Sequence, residues 1–429
     1  MVGGQFSSID TGELSGRYDS SGLQVVDVRP IFAYNGWQYG AEERTGHIEG
    51  ARSLPFKWTR YIEWMEIIEK KNITPAQTVV IYGRDEDKIR KTARQFSKAG
   101  FEDLQLYFEF ENEWSKDPEL PVNRLSRYEQ LVHPGWVEEL IDGGTPPHCN
   151  GEDFVICHAY YRDKTAYDEG HIPGAIPLDT NQLEDPETWN RRLPEEIETT
   201  LLGKGISADT TVVLYGRFSN PSYEQEFPGS SAGQLAALRC AFLMLYAGVK
   251  DVKILNGGLQ SWLDAGLQET DKEYEPGASS EFGADIPGRP ELVVDTEQAQ
   301  KILSSPEKNL VSVRSREEFL GKRSGYHYID KKGRIPGAVF GNCGSDAYHM
   351  ENYRNLDHTT REFQEIESFW REAGITPDKH NSFYCGTGWR ASEAFFNAWL
   401  MGWSDISVYD GGWYEWSRDD TNPIEKGKP

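Results

Sequence analysis

The part of the sequence best suited to chemistry is a short loop built around one cysteine. It reads Tyr384-Cys385-Gly386-Thr387-Gly388-Trp389-Arg390. The loop follows a strand-like run and opens an amphipathic helical stretch, so backbone N–H groups at the helix start are expected to converge on the sulfur. Such a group of N–H donors favours the thiolate, which makes Cys385 the candidate catalytic nucleophile.

The other loop residues are the candidate substrate-binding groups. Two glycines allow the chain to curl without Cβ clashes, and successive N–H groups are expected to stabilise negative charge on sulfur. Arg390 has two interpretations: it anchors the loop by bonding carbonyls or carboxylates, or it neutralises an anionic substrate. The candidates for substrate binding in the loop are Gly386, Thr387, Gly388, Trp389 and Arg390.

The elements that must position this loop form a pattern that the sequence repeats three times. Each copy begins with a strand-like run, at Leu23–Pro30, Asp153–Tyr160 and Asn309–Ser315. A glycine turn follows, written GHIEGA from Gly46, GHIPGA from Gly170 and GRIPGA from Gly333. A β-branched or aromatic run then ends at Gly83, Gly216 and Cys385. Glycine therefore stands where the third copy has its cysteine, and only the third copy carries a nucleophile.

Helical segments alternate with these strands. Amphipathic stretches follow the three endpoints, at Lys88–Phe101, Ser230–Gly248 and Arg390–Trp403. Two copies close with a Gly-Gly turn and a tryptophan, in Asn256–Trp262 and Asp410–Trp416. The alternation predicts an α/β fold in which each copy is a mainly parallel sheet flanked by helices. The predicted domains are 5–125, 130–268 and 290–429, and Glu269–Arg289 is predicted to link the last two.

Taken together, these motifs resemble one known family. The Val-Asp-Val-Arg strand, the Gly-His-Ile-Pro-Gly-Ala turn, the CGTGWR loop and the closing Gly-Gly-x-x-x-Trp are similar to those of rhodanese-like sulfurtransferases. The resemblance covers nearly the whole chain as three tandem rhodanese-like domains. It is strongest to bacterial triple-domain members, in which only the last domain is catalytic, and it thus implies two non-catalytic domains before the catalytic one.

The resemblance implies a two-step sulfur transfer. Cys385 would attack the outer sulfur of a small anionic donor such as thiosulfate, release sulfite and become a persulfide. A thiol, cyanide or a sulfur-acceptor protein would then remove that sulfur. This chemistry requires no metal and no cofactor.

Departures from the family pattern leave alternatives open. Gly386, Thr387 and Gly388 look closer to 3-mercaptopyruvate sulfurtransferases, whereas Trp389 and Arg390 replace the Val and Thr of that pattern. The loop therefore lies between the thiosulfate and the 3-mercaptopyruvate classes. Trp389 is expected either to narrow the mouth of the site or to present a docking surface for a protein acceptor. A cysteine phosphatase needs five residues between Cys and Arg, and this loop has four. A non-enzymatic sulfur-binding or redox-sensing protein is the remaining alternative.

Two residues outside the loop are further candidates. Arg314, at the end of a strand-like run, is expected to pair with Glu317 or Glu318, with a contact to substrate as its alternative role. Cys343 is the second thiol considered, as a partner in a sulfur relay. Cys157 and Cys240 are predicted to be buried structural residues, and Cys149 is predicted to lie in a surface loop.

Composition limits the class of partner. The 429 residues include 69 acidic and 45 basic side chains, a net charge of −24, which opposes binding to nucleic acid and to anionic membrane surfaces. No run approaches the ~20 apolar residues of a membrane span. The N-terminus lacks a secretory signal, so the expected location is cytoplasmic, or periplasmic if a signal was removed.

Overall fold

The computed structural model describes residues 6–150, 153–218, 232–275 and 277–428. The chain divides into two compact units, Met1–Glu129 and Gln130–Pro429. Parts of several predicted features lie outside the described residues: the ends of the outer domains at 5 and 429, Ser230 and Ser231 of the second helical stretch, and Pro276 of the linker. The predicted α/β class is confirmed, because parallel sheets flanked by helices form the described chain.

The first unit is built on a parallel sheet with strand order β1-β6-β5-β2-β4. A small antiparallel pair, β3 with β7, accompanies it. The strands are β1 (Ser7–Ser8), β2 (Leu23–Asp27), β3 (His47–Ile48), β4 (Arg52–Ser53), β5 (Thr78–Tyr82), β6 (Leu104–Tyr107) and β7 (Val122–Asn123). The α-helices are α1 (Thr11–Ser15), α2 (Ile31–Asn35), α3 (Trp64–Lys70) and α4 (Glu86–Lys98).

The second copy of the repeat forms the sheet β10-β9-β11-β12-β8, in which all pairs are parallel. Its strands are β8 (Leu131–Val132), β9 (Phe154–Tyr160), β10 (Ile176–Asp179), β11 (Thr211–Tyr215) and β12 (Asp251–Leu255). Its α-helices are α5 (Pro134–Ile141), α6 (Thr165–Asp168), α7 (Pro194–Gly203), α8 (Gly233–Ala247) and α9 (Gly258–Asp264).

The third copy forms the parallel sheet β13-β17-β16-β14-β15. Its strands are β13 (Val293–Val294), β14 (Lys308–Ser312), β15 (Val339–Phe340), β16 (His380–Tyr384) and β17 (Ile406–Tyr409). Its α-helices are α10 (Thr296–Leu303), α11 (Arg316–Phe319), α12 (Phe363–Glu372), α13 (Trp389–Leu400) and α14 (Gly412–Arg418).

The three main sheets share one topology. In each sheet the last strand lies between the first strand and the central strand that ends in tyrosine, namely β5, β11 or β16. These central strands are almost entirely buried, because helices cover both faces of a parallel sheet, and this explains the apolar runs of β5 and β11. Strand β16 is buried as well, although it includes the polar residues Asn381 and Ser382. The segment after each central strand therefore starts at the same edge of each sheet.

Within the second unit, helix α8 of the second copy packs along helix α13 of the third. The rings of Phe242 and Phe395 meet in this contact, with centroids 5.0 Å apart. Every residue of α8 is buried, since the helix is enclosed by its own sheet and by α13. Because α13 begins directly after the cysteine loop, this packing brings the second copy next to the candidate site.

None of the helices within the described ranges combines the length and the apolar character needed to span a bilayer.

Candidate active site

Cys385 directly follows β16 and is fully buried. Helix α13 begins at Trp389, and its N-terminal boundary residue, Gly388, has a positive φ of 88° and no capping side chain. The first N–H groups of a helix have no partner within the helix, so here they are available to an anionic group on the loop. The strand–loop–helix arrangement predicted around Cys385 is thus present.

The loop requires glycine for steric reasons as well as for conformation. A Cβ on Gly386 would lie 2.1 Å from a ring carbon of Tyr326. On the other side, the closing Gly-Gly turn touches the loop: a Cβ on Gly412 would lie 2.9 Å from the Cys385 carbonyl oxygen. The N–H of Trp413 donates to that same oxygen at 2.8 Å. The Gly-Gly motif of the sequence therefore holds the backbone of the cysteine loop.

The second copy, which has Gly216 in place of the loop cysteine, makes the same contact. The N–H of Leu259 donates to the Gly216 carbonyl oxygen at 3.0 Å, and a Cβ on Gly258 would lie 2.5 Å from that oxygen. The Gly-Gly turn is thus a structural part of the repeat, and the cysteine is what the third copy adds to it.

Arg390 is fully buried and acts as an anchor. Its two terminal nitrogens donate to the two carboxylate oxygens of Glu318 at 2.9 Å each, and further bonds reach the Asp346 carbonyl and the Tyr326 hydroxyl at 3.0 Å. Burial alone would raise the pKa of Glu318, but the guanidiniums of Arg390 and Arg314 hold it at about 2. The geometry matches the carboxylate-anchoring interpretation of Arg390, and its guanidinium is committed to protein groups.

Arg314 makes the pairing expected from the sequence. Its Nε lies 3.2 Å from a carboxylate oxygen of Glu318, and its Nη1 donates to the Gly333 carbonyl at 2.8 Å. Glu317, the other expected partner, pairs with Arg323 instead. Arg314 is fully buried and does not belong to the described lining of the pocket beside the loop, so its geometry gives no support to a contact with substrate.

A pocket of about 430 Å³ lies beside the cysteine loop, between the second and third copies. Six of its lining residues are aromatic: Tyr161, Trp189, Tyr326, Tyr328, Tyr348 and Trp389. The remaining described lining residues are Ala232, Leu235, Ala347 and Thr387. Among the described residues, therefore, the wall carries no ionised side chain, and Thr387 supplies its aliphatic hydroxyl.

The aromatic wall is a packed cluster drawn from both copies. Trp189 of the second copy stacks on Tyr328 of the third with centroids 4.5 Å apart, and Tyr328 stacks on Tyr326 at 5.2 Å. Tyr161 meets Trp389 edge to face at 5.1 Å. Such contacts hold rings in fixed orientations, so the pocket is largely preformed.

Tyr326 connects the pocket wall to the loop. Burial raises the pKa of Tyr326 well above its usual range; negative charge on Cys385 and Glu318 acts in the same direction, and Arg390 opposes it. The phenol is therefore neutral near pH 7 and, while it accepts a bond from Arg390, its own proton is available to a bound molecule. No motif includes this tyrosine, so it could not be singled out from the sequence.

Trp389 contacts the second copy rather than solvent. Its Nε1–H donates to both carboxylate oxygens of Glu184, at 3.0 and 3.1 Å, and only 7% of the residue is exposed. The expectation that Trp389 presents a docking surface for a protein acceptor is therefore wrong, because a buried indole cannot form such a surface. The alternative that it narrows the site agrees with its place in the pocket wall.

Arg239 is a second group that the sequence analysis missed as part of the site. Its Nε donates to Glu184 at 2.9 Å, and its Nη2 lies 2.7 Å from an oxygen of Asp410. A Cβ on Gly388 would lie 2.9 Å from its Nη1, so the guanidinium abuts the cysteine loop. The available signal was a lone arginine within the apolar run Ala236–Ala247.

The other thiols are not placed for nucleophilic chemistry. Cys343 lies 3.9 Å from Nη1 of Arg390, but it is fully buried and burial raises its pKa to about 12. A relay thiol needs an accessible thiolate, so the geometry does not favour that role. Cys157 and Cys240 are buried, as a structural role requires. Among the described residues no cluster of three or more His, Cys, Asp or Glu side chains could hold a metal ion.

Comparisons with known proteins agree with this geometry. The Rhodanese-like domain family matches residues 10–117, 161–265 and 295–419. Thiosulfate sulfurtransferase YnjE from Escherichia coli (strain K12) is 39% identical over 409 residues, which cover 94% of this chain and 89% of that protein. Sulfur carrier protein TtuD from Thermus thermophilus is 30% identical over 315 residues, which cover 70% of this chain and 98% of that protein.

Solved structures of EanB are also similar over the full length. A complex of an EanB variant with ergothioneine has 51% sequence identity and a TM-score of 0.97, covering 99% of this chain and 100% of that chain. Others contain a cysteine persulfide in a tetrahedral intermediate state with ergothioneine, or hercynine, with the same identity and TM-score. These relatives support sulfurtransferase activity. The chain belongs to the family of proteins built from rhodanese-like domains, three of which follow one another along it.

Proposed function

We propose that Cys385 carries a sulfane sulfur as a persulfide, and that this chain transfers the sulfur to the imidazole ring of a small quaternary ammonium acceptor such as hercynine. A small anionic compound, with thiosulfate as the first choice, is the proposed donor. The observation that carries the proposal is the aromatic, uncharged described lining of the pocket beside Cys385.

In the first step, the Cys385 thiolate attacks the outer sulfur of thiosulfate. A new S–S bond forms on Cys385, the S–S bond of thiosulfate breaks, and sulfite leaves with the electron pair. The start of α13 supports this step, since its N–H groups and helix dipole stabilise the negative charge that remains on the persulfide.

The pocket supports an acceptor that carries a quaternary ammonium group. Aromatic faces attract such cations, and recognition of methylated ammonium groups by aromatic cages is a general use of this interaction. Hercynine is the Nα-trimethylated form of histidine, and it occupies a complex of EanB, which is 51% identical to this chain. The described part of the pocket wall carries no charge, which suits this ligand better than a second small dianion.

In the second step, carbon C2 of the imidazole takes the terminal sulfur of the persulfide. The C2–H and S–S bonds break, a C–S bond forms, and the released proton ends on the Cys385 sulfur, so atoms and electrons balance without another reactant. We assign the proton transfer to Tyr326, whose neutral phenol lines the pocket and contacts Arg390. Thr387 offers a hydroxyl to an imidazole nitrogen.

A second candidate function keeps the same persulfide but uses a thiol or cyanide as acceptor. The identity of 39% with thiosulfate sulfurtransferase YnjE over most of both chains favours it. Because Gly386, Thr387 and Gly388 resemble the loop of 3-mercaptopyruvate sulfurtransferases, 3-mercaptopyruvate is the alternative donor.

An acceptor panel tests the proposal. Protein loaded with thiosulfate, or in parallel with 3-mercaptopyruvate, is mixed with hercynine, histidine, cyanide or dithiothreitol, and the products are identified by mass spectrometry. We expect hercynine to gain one sulfur and histidine, which lacks the three methyl groups, to react far more slowly. Transfer to cyanide or thiol with none to hercynine would support the second candidate instead. Sulfur uptake with transfer to none of the four would favour a sulfur-binding protein.

A further inference from the structure

The non-catalytic second copy supplies part of the active-site wall through one buried loop. Glu184 lies between β10 and α7, in a segment closed by an antiparallel bridge between Glu184 and Arg191. The side chain of Glu184 is completely buried. Its two oxygens accept the indole N–H of Trp389, a residue 205 positions later in the sequence.

The same loop also contacts the Gly-Gly turn that holds the cysteine loop. The N–H of Arg191 donates to a carboxylate oxygen of Asp410 at 2.7 Å, and the amide of Asn190 donates to Glu415 at 2.9 Å. Asp410 immediately precedes that turn. One segment of the second copy therefore touches both elements that flank Cys385: the start of α13 and the turn.

Arg239 connects these two contacts. It donates to Glu184 at 2.9 Å, pairs with Asp410 at 2.7 Å and donates to the carbonyl of Trp189 at 2.7 Å. Trp189 and Trp389 are both walls of the aromatic pocket. Arg239 and Glu184 thus hold one tryptophan of the pocket wall from each copy: Trp189 of the second and Trp389 of the third.

Removal of the Glu184 carboxylate from water costs free energy, and packing alone does not require a charged group at this position. Replacement of buried ion pairs by apolar groups is often neutral or stabilising, so such pairs are weak evidence for a role in stability. What Glu184 supplies that an apolar residue could not is a directed acceptor for the Trp389 N–H. That bond sets the orientation of the indole face toward the pocket.

We propose that Glu184 is a positioning residue contributed by the second rhodanese-like domain, which acts through the Trp389 indole to set the shape of the acceptor pocket. The inference rests on the proposed function, because it assumes that the acceptor binds against this wall. It assigns the second domain a part in acceptor recognition and none in the loading of sulfur on Cys385.

The test separates acceptor binding from sulfur loading. Three variants are compared with the wild-type full chain: Glu184→Met, which keeps the size of the side chain but removes the acceptor oxygens, Trp389→Phe and the double variant. For each, the rate of sulfur uptake from thiosulfate, the KM and kcat for hercynine, and the Kd of hercynine for the unloaded protein are measured. Glu393→Met is the matched control, since Glu393 is a buried glutamate on α13 that pairs with Arg354 outside the pocket.

We expect Glu184→Met to raise the KM and Kd for hercynine about tenfold, as for the loss of one hydrogen bond to the Trp389 N–H. Loading of Cys385 should stay within about twofold of wild type, and Glu393→Met should leave the KM unchanged. If Glu184 acts through the indole, the KM and Kd of the double variant for hercynine should be no higher than those of Trp389→Phe. If Glu184 had only a structural role, its substitution would impair sulfur loading and acceptor binding together.

Two results would overturn the inference: an unchanged KM and Kd in Glu184→Met, or equal losses of loading and acceptor affinity. If Glu184→Met does not fold, Trp389→Phe decides alone, since it removes the N–H and keeps an aromatic ring; an unchanged KM there would overturn the inference. Failure of the proposed function is seen separately, as wild-type protein that takes up no sulfur or does not bind hercynine.

Discussion

Arg390 of the cysteine loop and Glu318 of α11 form a buried pair joined by two hydrogen bonds of 2.9 Å. Neither side chain is exposed, and Arg314 approaches the same carboxylate from the preceding strand. One carboxylate is therefore shared by two buried guanidiniums in the third domain.

Glu318→Gln should destabilise the protein strongly. The substitution leaves two buried guanidiniums without their counter-charge, and loss of one partner of a buried pair typically lowers the free energy of unfolding by about 3–5 kcal/mol. Denaturant unfolding of the full chain measures this. The control is Glu367→Gln, which removes a partly exposed pair with Arg371 on α12 and should change stability by less than about 1 kcal/mol. Equal effects of the two substitutions would contradict the account.

The contribution of Glu318 should disappear in acid. Its pKa of about 2 lies below the ordinary value of 4.5, so the unfolded chain binds the proton more readily than the folded one. The stabilising contribution is therefore complete above about pH 5 and is lost as the pH falls toward 2. The difference in unfolding free energy between wild type and Glu318→Gln should shrink over that range, as urea titrations at several pH values would reveal. A difference that stays constant from pH 6 to pH 3 would argue against the pair.

Tyr326→Phe should separate the two half-reactions. The ring and its packing remain, but the hydroxyl that we assign to proton transfer is removed, so transfer to hercynine should slow by about 10²–10⁴-fold. Loading of Cys385 should continue, because it involves no proton from Tyr326. Rapid-mixing measurements of each step check this, with Tyr409→Phe, a buried tyrosine that contacts Thr296, as the control. Equal slowing of both steps would leave Tyr326 without the proposed role.

Gly386→Ala should abolish activity while much of the fold remains. The added methyl group would lie 2.1 Å from the Tyr326 ring, so the loop or the ring must move. Gly203→Ala on α7, whose new Cβ would have no atom within 4 Å and whose φ is not positive, serves as the control for the substitution itself. Both variants would be assayed for sulfur uptake and by circular dichroism; full activity in Gly386→Ala would mean that the loop is not held as described.

The fold could be predicted from the sequence because each strand and helix of the repeat has its own pattern within a short stretch of the chain. The runs that end at Gly83, Gly216 and Cys385 became the central strands β5, β11 and β16, and the helical stretches behind them became α4, α8 and α13. The cysteine loop was predictable for the same reason, since all of its parts are adjacent in the chain.

The pocket could not be predicted, because its parts are distant in the sequence and have no motif. Glu184 and Trp389 meet only because α8 packs along α13, and no spacing rule connects them. Trp389 was consequently open to two interpretations that only its burial distinguishes. The proposed acceptor chemistry depends on rings from both domains, so it could be inferred only from the folded chain.

The central claim is that Cys385 carries the transferred sulfur, and intact-protein mass spectrometry tests it most directly. Wild-type protein and Cys385→Ser are incubated with thiosulfate, weighed, then mixed with hercynine and weighed again. The account predicts a gain of ~32 Da in wild type alone, mapped by peptide analysis to Cys385 and lost on addition of hercynine. A gain of equal size in Cys385→Ser, or no gain in wild type with either thiosulfate or 3-mercaptopyruvate, would contradict it.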